Sequence, residues 1–295
     1  MLEKNLRLLE AYRRSLPDSA RSSYGRNAEV FLDWAGNRPL NADTVRTWIE
    51  KRRRAGYADG TLRHEFGVIH RLFEVNSLEW SFRRGDAPLI REHEEFAPAL
   101  AIEDVQVMVD VVLGRVQPQG PTKPTATHRA FLALSTVWAL RRGEMIEVNP
   151  ESLNAKQKLI FVKTLKEGRQ RWHVVPDYMW PHLEGYGFST PASRSALTIL
   201  FDELKIMVGF TRETGLYIGW HSIRRSFEKA AFEAGFSIAD IHSFCRYKRP
   251  TSNMPLRYGT ARTVSHTGVI EQIATDDAKL DARFYEAHPF PQMWR

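Results

Sequence analysis

Four times within the first 82 residues, apolar side chains recur at spacings of three and four. Leu2, Leu6, Leu9 and Tyr12 make the first stripe, and Tyr24, Val30, Phe31 and Trp34 the second. Val45, Trp48 and Ile49 make the third, and Leu62, Phe66, Ile69, Leu72 and Phe73 the fourth. This spacing follows the α-helical turn, so each segment has one face to bury. Breaks fall where helices start and stop: near Ser19, at Gly36, after Asn41-Ala42-Asp43, and near Asp59 or Thr61. Short helices of this kind bury their stripes against one another, which predicts a small four-helix bundle over residues 1–82.

The pattern then lapses. Residues 83–97, RRGDAPLIREHEEFA, hold Gly85 and Pro88 and show no clean period, as expected of a linker. A second domain is expected over residues 98–260. Ile102-Glu103-Asp104 heads a helix through Val105, Met108, Val109 and Val112. His128 to Leu140 is strongly apolar and reads as a core helix that carries Arg141 at its end. After Asn149-Pro150 the pattern turns to strands. Leu159–Val162 and Trp172–Val175 flank Glu167-Gly168, which predicts a hairpin within a small sheet near residues 153–176. Ser193 to Val208 returns to helix. The expected fold class is therefore mainly α with one small sheet.

The chemistry concentrates in Trp220–Tyr258. His221 and Arg224 lie three apart, so they share a helix face. Phe227, Ala230, Ala231 and Ala234 bury the opposite side, and Gly235 stops the helix as a C-cap would. A second short helix starts at the N-cap residue Ser237 and ends at Phe244. Basic residues Arg246 to Arg249 follow, and then Tyr258. Guanidinium forks match phosphate oxygens, imidazole moves a proton near neutrality, and a phenol oxygen can be a covalent nucleophile.

His-x-x-Arg followed by a tyrosine 37 positions after the histidine resembles the tyrosine recombinases, or phage-type integrases. Leu140-Arg141-Arg142-Gly143-Glu144 is similar to that family's Leu-Arg-x-x-Glu pattern, and Lys166 precedes Gly168 where the family has a hairpin lysine. Lys163 is the rival lysine, and Tyr285 the next tyrosine after Tyr258. The resemblance implies an N-terminal helical core-binding (SAM-like) domain and an α-rich catalytic domain with a small antiparallel sheet, as in DNA breaking-rejoining enzymes. It also implies strand cleavage through a 3′-phosphotyrosyl link to Tyr258, without metal, cofactor or ATP. Arg141 and Arg224 would bind phosphate, His221 would handle the tyrosine proton, and Lys166 would protonate the leaving oxygen. The implied partners are double-stranded DNA and further copies of the chain, from dimer to tetramer. The implied role is site-specific recombination for a mobile genetic element. In the family the segment after the tyrosine often docks on a neighbouring protomer. Residues 261–295 could do that or pack on their own domain.

One departure stands out. The family has Leu-Gly-His before the tyrosine, whereas this chain has Cys245-Arg246-Tyr247. Counted from the preceding helix, Tyr247 fills the histidine slot; counted back nine from Tyr258, Arg249 does. A type IB topoisomerase or a non-catalytic DNA-binding protein on the same scaffold therefore stays open.

Composition fits these expectations. A net charge of +7 favours a polyanionic partner. Lys51-Arg52-Arg53-Arg54 reads either as a solvated helix end or as a phosphate-contacting patch, and Lys248 and Arg249 extend the basic set. One cysteine, Cys245, allows no intrachain disulfide, and no cysteine-based metal site is expected. No apolar run nears the ~20 residues of a membrane span, so a cytoplasmic, DNA-associated protein is expected.

Overall fold

The computed structural model describes residues 1–88, 99–164, 169–189, 192–210, 218–247 and 268–295. The chain divides into two compact units, Met1–Phe96 and Ala97–Arg295.

The first unit holds α1 (Glu3–Ser15), α2 (Asp18–Ala35), α3 (Ala42–Arg54) and α4 (Asp59–Val75). Asn41 caps α3 by accepting the Thr44 N–H at 3.1 Å. Gly36 ends α2 at φ +53, a conformation that suits glycine. Leu9, Tyr12, Phe31, Leu32, Val45, Trp48, Ile69, Leu72 and Phe73 form the core. Trp80 and Phe82, after α4, pack on it through Phe66. The stripes of α3 and α4 are buried as expected. Those of α1 and α2 are rotated. Leu2, Leu6, Tyr24 and Val30 are exposed, while Asn5 is buried. On α1 the buried Asn5 amide donates to Leu32 O at 2.9 Å and Gly36 O at 3.0 Å, satisfying carbonyls at the end of α2.

The second unit is mainly helical around a three-stranded antiparallel sheet. Its elements are α5 (Ile102–Val112), α6 (Ala126–Val137), α7 (Arg142–Ile146), β1 (Leu153–Asn154), β2 (Leu159–Val162) and β3 (Arg171–Val174). They continue with α8 (Trp180–Glu184), α9 (Arg194–Met207), α10 (Trp220–Glu233), α11 (Ile238–Phe244), α12 (Gly268–Ala287) and α13 (Pro289–Gln292). The sheet order is β1-β2-β3, with Ile160 opposite Leu153 and His173. Helix α6 is buried nearly all round, the mark of a central helix. Ser237 caps α11 as its position predicted, and Ser193 caps α9. Phe227 of α10 stacks on Phe244 of α11, Phe284 of α12 and His288, which ties three helices together.

One expectation is corrected. Helix α6 stops at Val137, so Arg141 does not sit at its end. Trp138–Leu140 bridge to α7, with Ala139 in the left-handed region at φ +50. On β3, Arg171 and His173 are buried and Trp172 is exposed, because an acid from α12 meets the inner face. Helix α12 ends at Ala287, and the short α13 follows from Pro289 to Gln292. From Asp277 onward the tail packs on its own unit, with Phe284, Tyr285, Phe290, Met293 and Trp294 in the core.

Candidate active site

The site is built around one buried carboxylate. Arg141 is the N-cap of α7, and Glu144 stands three residues later. Glu144 reaches back as a capping acid does: Oε2 accepts the Arg141 N–H at 2.9 Å and Oε1 accepts Arg141 Nη1 at 2.7 Å. The Leu-Arg-x-x-Glu spacing therefore fixes the arginine's backbone and side chain with one group. Burial alone would raise the Glu144 pKa. Arg246, Arg224 and Arg141 overcome that and hold it below the ordinary carboxylate range.

Arg224 arrives from α10 and is 1% exposed. Its Nη1 donates to Ala139 O, its Nη2 donates to Cys245 O at 2.8 Å, and its Nε lies 2.9 Å from Glu228 Oε1, one turn along. The same Nη1 is 4.0 Å from Glu144. Tyr247 follows α11 and joins the two arginines. The Cζ atoms of Arg141 and Arg224 each lie 4.8 Å from the centre of its ring. Its hydroxyl donates to Glu228 at 2.7 Å, and burial pushes its pKa up, so it remains a neutral phenol. His221 is one turn before Arg224 and is an exposed residue whose ring is partly desolvated. Desolvation, then Arg225, Arg224 and Arg141, lower its pKa, which leaves a neutral imidazole able to accept a proton at neutral pH.

Arg246 completes the cluster and is fully buried. It donates to Glu144 Oε2 at 3.1 Å, to His173 Nε2 at 2.8 Å and to Trp138 O at 3.1 Å. The sequence placed this residue in a basic loop; it is instead part of the interior. Glu228, His173 and Arg246 were all missed as site residues. A weak signal existed for His173, which shares the alternate face of β3 with Arg171.

The other candidates fall as follows. Lys166, Lys248, Arg249 and Tyr258 lie outside the described residues. Lys163 pairs with Glu147 at 3.1 Å on the surface. Tyr285 is buried in the core, where its hydroxyl accepts Trp138 Nε1 at 2.9 Å and donates to Val174 O at 2.5 Å, and burial raises its pKa well above the ordinary value. In the first unit, Arg52 turns inward to a buried pair with Glu65 and stacks 3.4 Å from the Tyr57 ring, so it is a structural residue rather than a free phosphate contact. Lys51, Arg53 and Arg54 are exposed and, with Arg46, Phe66 and Phe82, line a cleft of about 820 Å³. Among the described residues, no helix is long and apolar enough to cross a membrane, and no group of three or more His, Cys, Asp or Glu is placed to hold a metal ion.

No family model and no curated protein matches the sequence. Solved structures do match its fold. The Tn1549 transposon integrase in complex with transposon right end DNA is 11% identical, with a TM-score of 0.62 over 91% of this chain and 98% of the other. The XerH site-specific recombinase bound to a palindromic difH substrate is 11% identical, with a TM-score of 0.61 over 82% and 77%. A lambda integrase dimer bound to a COC′ core site is 11% identical, with a TM-score of 0.59 over 83% and 75%. The fold is that of the tyrosine recombinases.

Proposed function

We propose that this chain cleaves and rejoins DNA strands as a site-specific tyrosine recombinase. One observation carries the reading: Arg141 and Arg224, 83 positions apart, converge on one carboxylate and one aromatic ring within that fold. Three guanidinium groups there meet the carboxylates of Glu144 and Glu228, which leaves an excess of positive charge in a partly buried site. A phosphodiester passing through a pentavalent transition state spreads negative charge over its non-bridging oxygens. Preorganised guanidinium forks stabilise that charge more than they stabilise the ground state.

The proposed reaction runs in two balanced steps. The Tyr258 oxygen forms a bond to phosphorus as the bond to the 5′-oxygen breaks. Neutral His221 takes the phenol proton, and Lys166 gives a proton to the leaving oxygen. A 3′-phosphotyrosyl link results. A 5′-hydroxyl then attacks that link and gives its proton to Lys166, Tyr258 leaves and takes its proton back from His221, and the strand is rejoined with the same number of phosphodiesters and no need for ATP. Tyr247, in the histidine slot, holds the two arginines by its ring face rather than by donating to phosphate. The helical unit, through Lys51, Arg53 and Arg54, grips the duplex backbone. Two to four copies act together on paired DNA sites.

The test uses DNA selected by the full chain from a randomised pool, rebuilt as nicked, end-labelled suicide duplexes. Wild type should yield a covalent adduct on denaturing gels. Tyr258→Phe should bind equally and yield none. Binding by wild type without an adduct on any selected duplex would move the reading to a non-catalytic DNA-binding protein. Relaxation of supercoiled plasmid without junction intermediates would move it to a topoisomerase.

A further inference from the structure

The proposed reaction makes no use of Arg246, yet the chain commits much to placing it. Arg246 sits in the left-handed region at φ +59, where glycine is the comfortable residue. Its side chain is fully buried. A strained backbone and a buried charge persist together only where surrounding contacts over-determine them, and such strain gathers at functional sites.

The contacts are directional. From one side, Arg246 Nη2 holds Glu144 Oε2 at 3.1 Å and the Ala139 carbonyl at 3.4 Å. These are the acceptors that also orient Arg141 and Arg224. Ala139 is the other left-handed residue of the site. From the other side, Arg246 Nη1 donates to His173 Nε2 at 2.8 Å, so the imidazole carries its proton on Nδ1. That N–H donates to Asp281 Oδ1 at 3.1 Å. Asp281 belongs to α12 and also accepts Arg171 Nη2 at 2.5 Å and the Val174 N–H at 2.9 Å. Every side chain from Glu144 to Asp281 is buried. The path therefore runs without a water-accessible link from the arginine pair, through β3, to the helix that follows Tyr258 in the chain.

We infer that Arg246 is the positioning residue of the arginine pair, held in turn by His173 and Asp281, so that Arg141 and Arg224 take their working orientation only while α12 is docked. This rests on the phosphate-binding role proposed for those two arginines.

The experiment measures the dissociation constant for the selected duplex and the single-turnover rate of adduct formation at saturating DNA. Full-length wild type, Arg246→Met, Arg246→Lys, Asp281→Asn and Arg246→Lys/Asp281→Asn are compared at a temperature where each is folded by circular dichroism. Arg246→Met should slow the adduct by about 100-fold, and Arg246→Lys, which restores the charge without the fork, by about 10-fold. Affinity should stay within about threefold, because neither residue contacts DNA in this account. Asp281→Asn should slow it by about threefold or more, and the double variant should be no slower than Arg246→Lys alone, as expected of members of one path. Unchanged rates in the folded single variants would overturn the inference, as would a double variant slowed by the product of the two single effects. If Arg246 variants do not fold, Asp281→Asn decides the matter: a wild-type rate overturns the inference. Absence of any adduct from wild type is a different result, which sinks the phosphoryl-transfer reading and the inference with it.

Discussion

The two units solve the same packing problem with different interiors. Among the described residues, the helical unit buries one charged side chain, Glu65, beneath a core of aliphatic and aromatic groups. The second unit buries Glu144, Arg171, Arg224, Arg246 and Asp281, together with three histidines, His128, His173 and His288. A buried ion pair is usually worth no more to stability than well-packed apolar residues of the same volume, whereas removing one partner is severe. The contrast shows where the fold is optimised for cohesion and where it is optimised to hold charge in place.

The largest expected effect breaks that contrast at its centre. Glu144→Gln removes the carboxylate shared by three arginines and should cost about 3–5 kcal/mol. Hydrogen exchange should show the loss over residues 99–295 and leave residues 1–88 as they were. A loss below 1 kcal/mol, as flagged by about one surface pair, would mean the arginines do not depend on it.

The next effect is a pH response confined to the second unit. His288 is buried against Phe227 at a ring distance of 3.9 Å; its Nε2 donates to Phe227 O and its Nδ1 accepts the Phe290 N–H. Both nitrogens are committed to the neutral form, and burial brings the pKa down from 6.5 to about 4. The unfolded chain then binds the proton more readily than the folded one. Stability is full above pH 6.5 and is lost as pH falls toward 4, by about 3 kcal/mol from this group. Asp281, whose pKa burial raises to about 7, works in the opposite sense. The measurement is therefore the difference between wild type and His288→Gln in denaturant midpoints across that range. Parallel curves would contradict the assignment.

Glu65→Gln should cost less than Glu144→Gln, about 1 kcal/mol, since the amide still accepts from Trp48 and Arg52 is close enough to solvent to rehydrate. A loss equal to that of Glu144→Gln would erase the distinction between the units. The smallest effect concerns strain. Ala139→Gly relieves a left-handed backbone while losing one buried methyl, two terms of about 1 kcal/mol and opposite sign, so it should be near neutral. The same change at Ala133, inside α6, lacks the relief and should cost about 2 kcal/mol. Equal losses at both positions would remove the evidence for strain at the site.

Much of this molecule could be read from the chain because much of it is local. Periodicity located the four helices of the first unit, and Ser237 marked a helix start through its own hydrogen bond. The convergence of Arg141 and Arg224 was expected from the order of the motifs and their similarity to a family. What stayed hidden was set by distant partners. Asn5 looks like an interruption in a leucine stripe until Leu32 O and Gly36 O are beside it. His173 reads as part of an apolar strand because its acid lies 108 positions later. Arg246 reads as a loop cation because nothing nearby in sequence reveals Glu144, 102 positions earlier. Ala139 and Arg246 occupy backbone conformations that composition alone would assign to glycine.

The central claim is that the buried charge of the second unit exists to set two arginine forks on a phosphate. Arg141→Lys tests it most directly, since Arg141 is the more accessible of the pair and lysine keeps the charge while losing the fork. On the selected suicide duplex at saturating concentration, adduct formation should slow by on the order of 100-fold, with DNA affinity changed by less than about fivefold. An Arg141→Lys protein that binds and forms adducts at the wild-type rate would contradict the account.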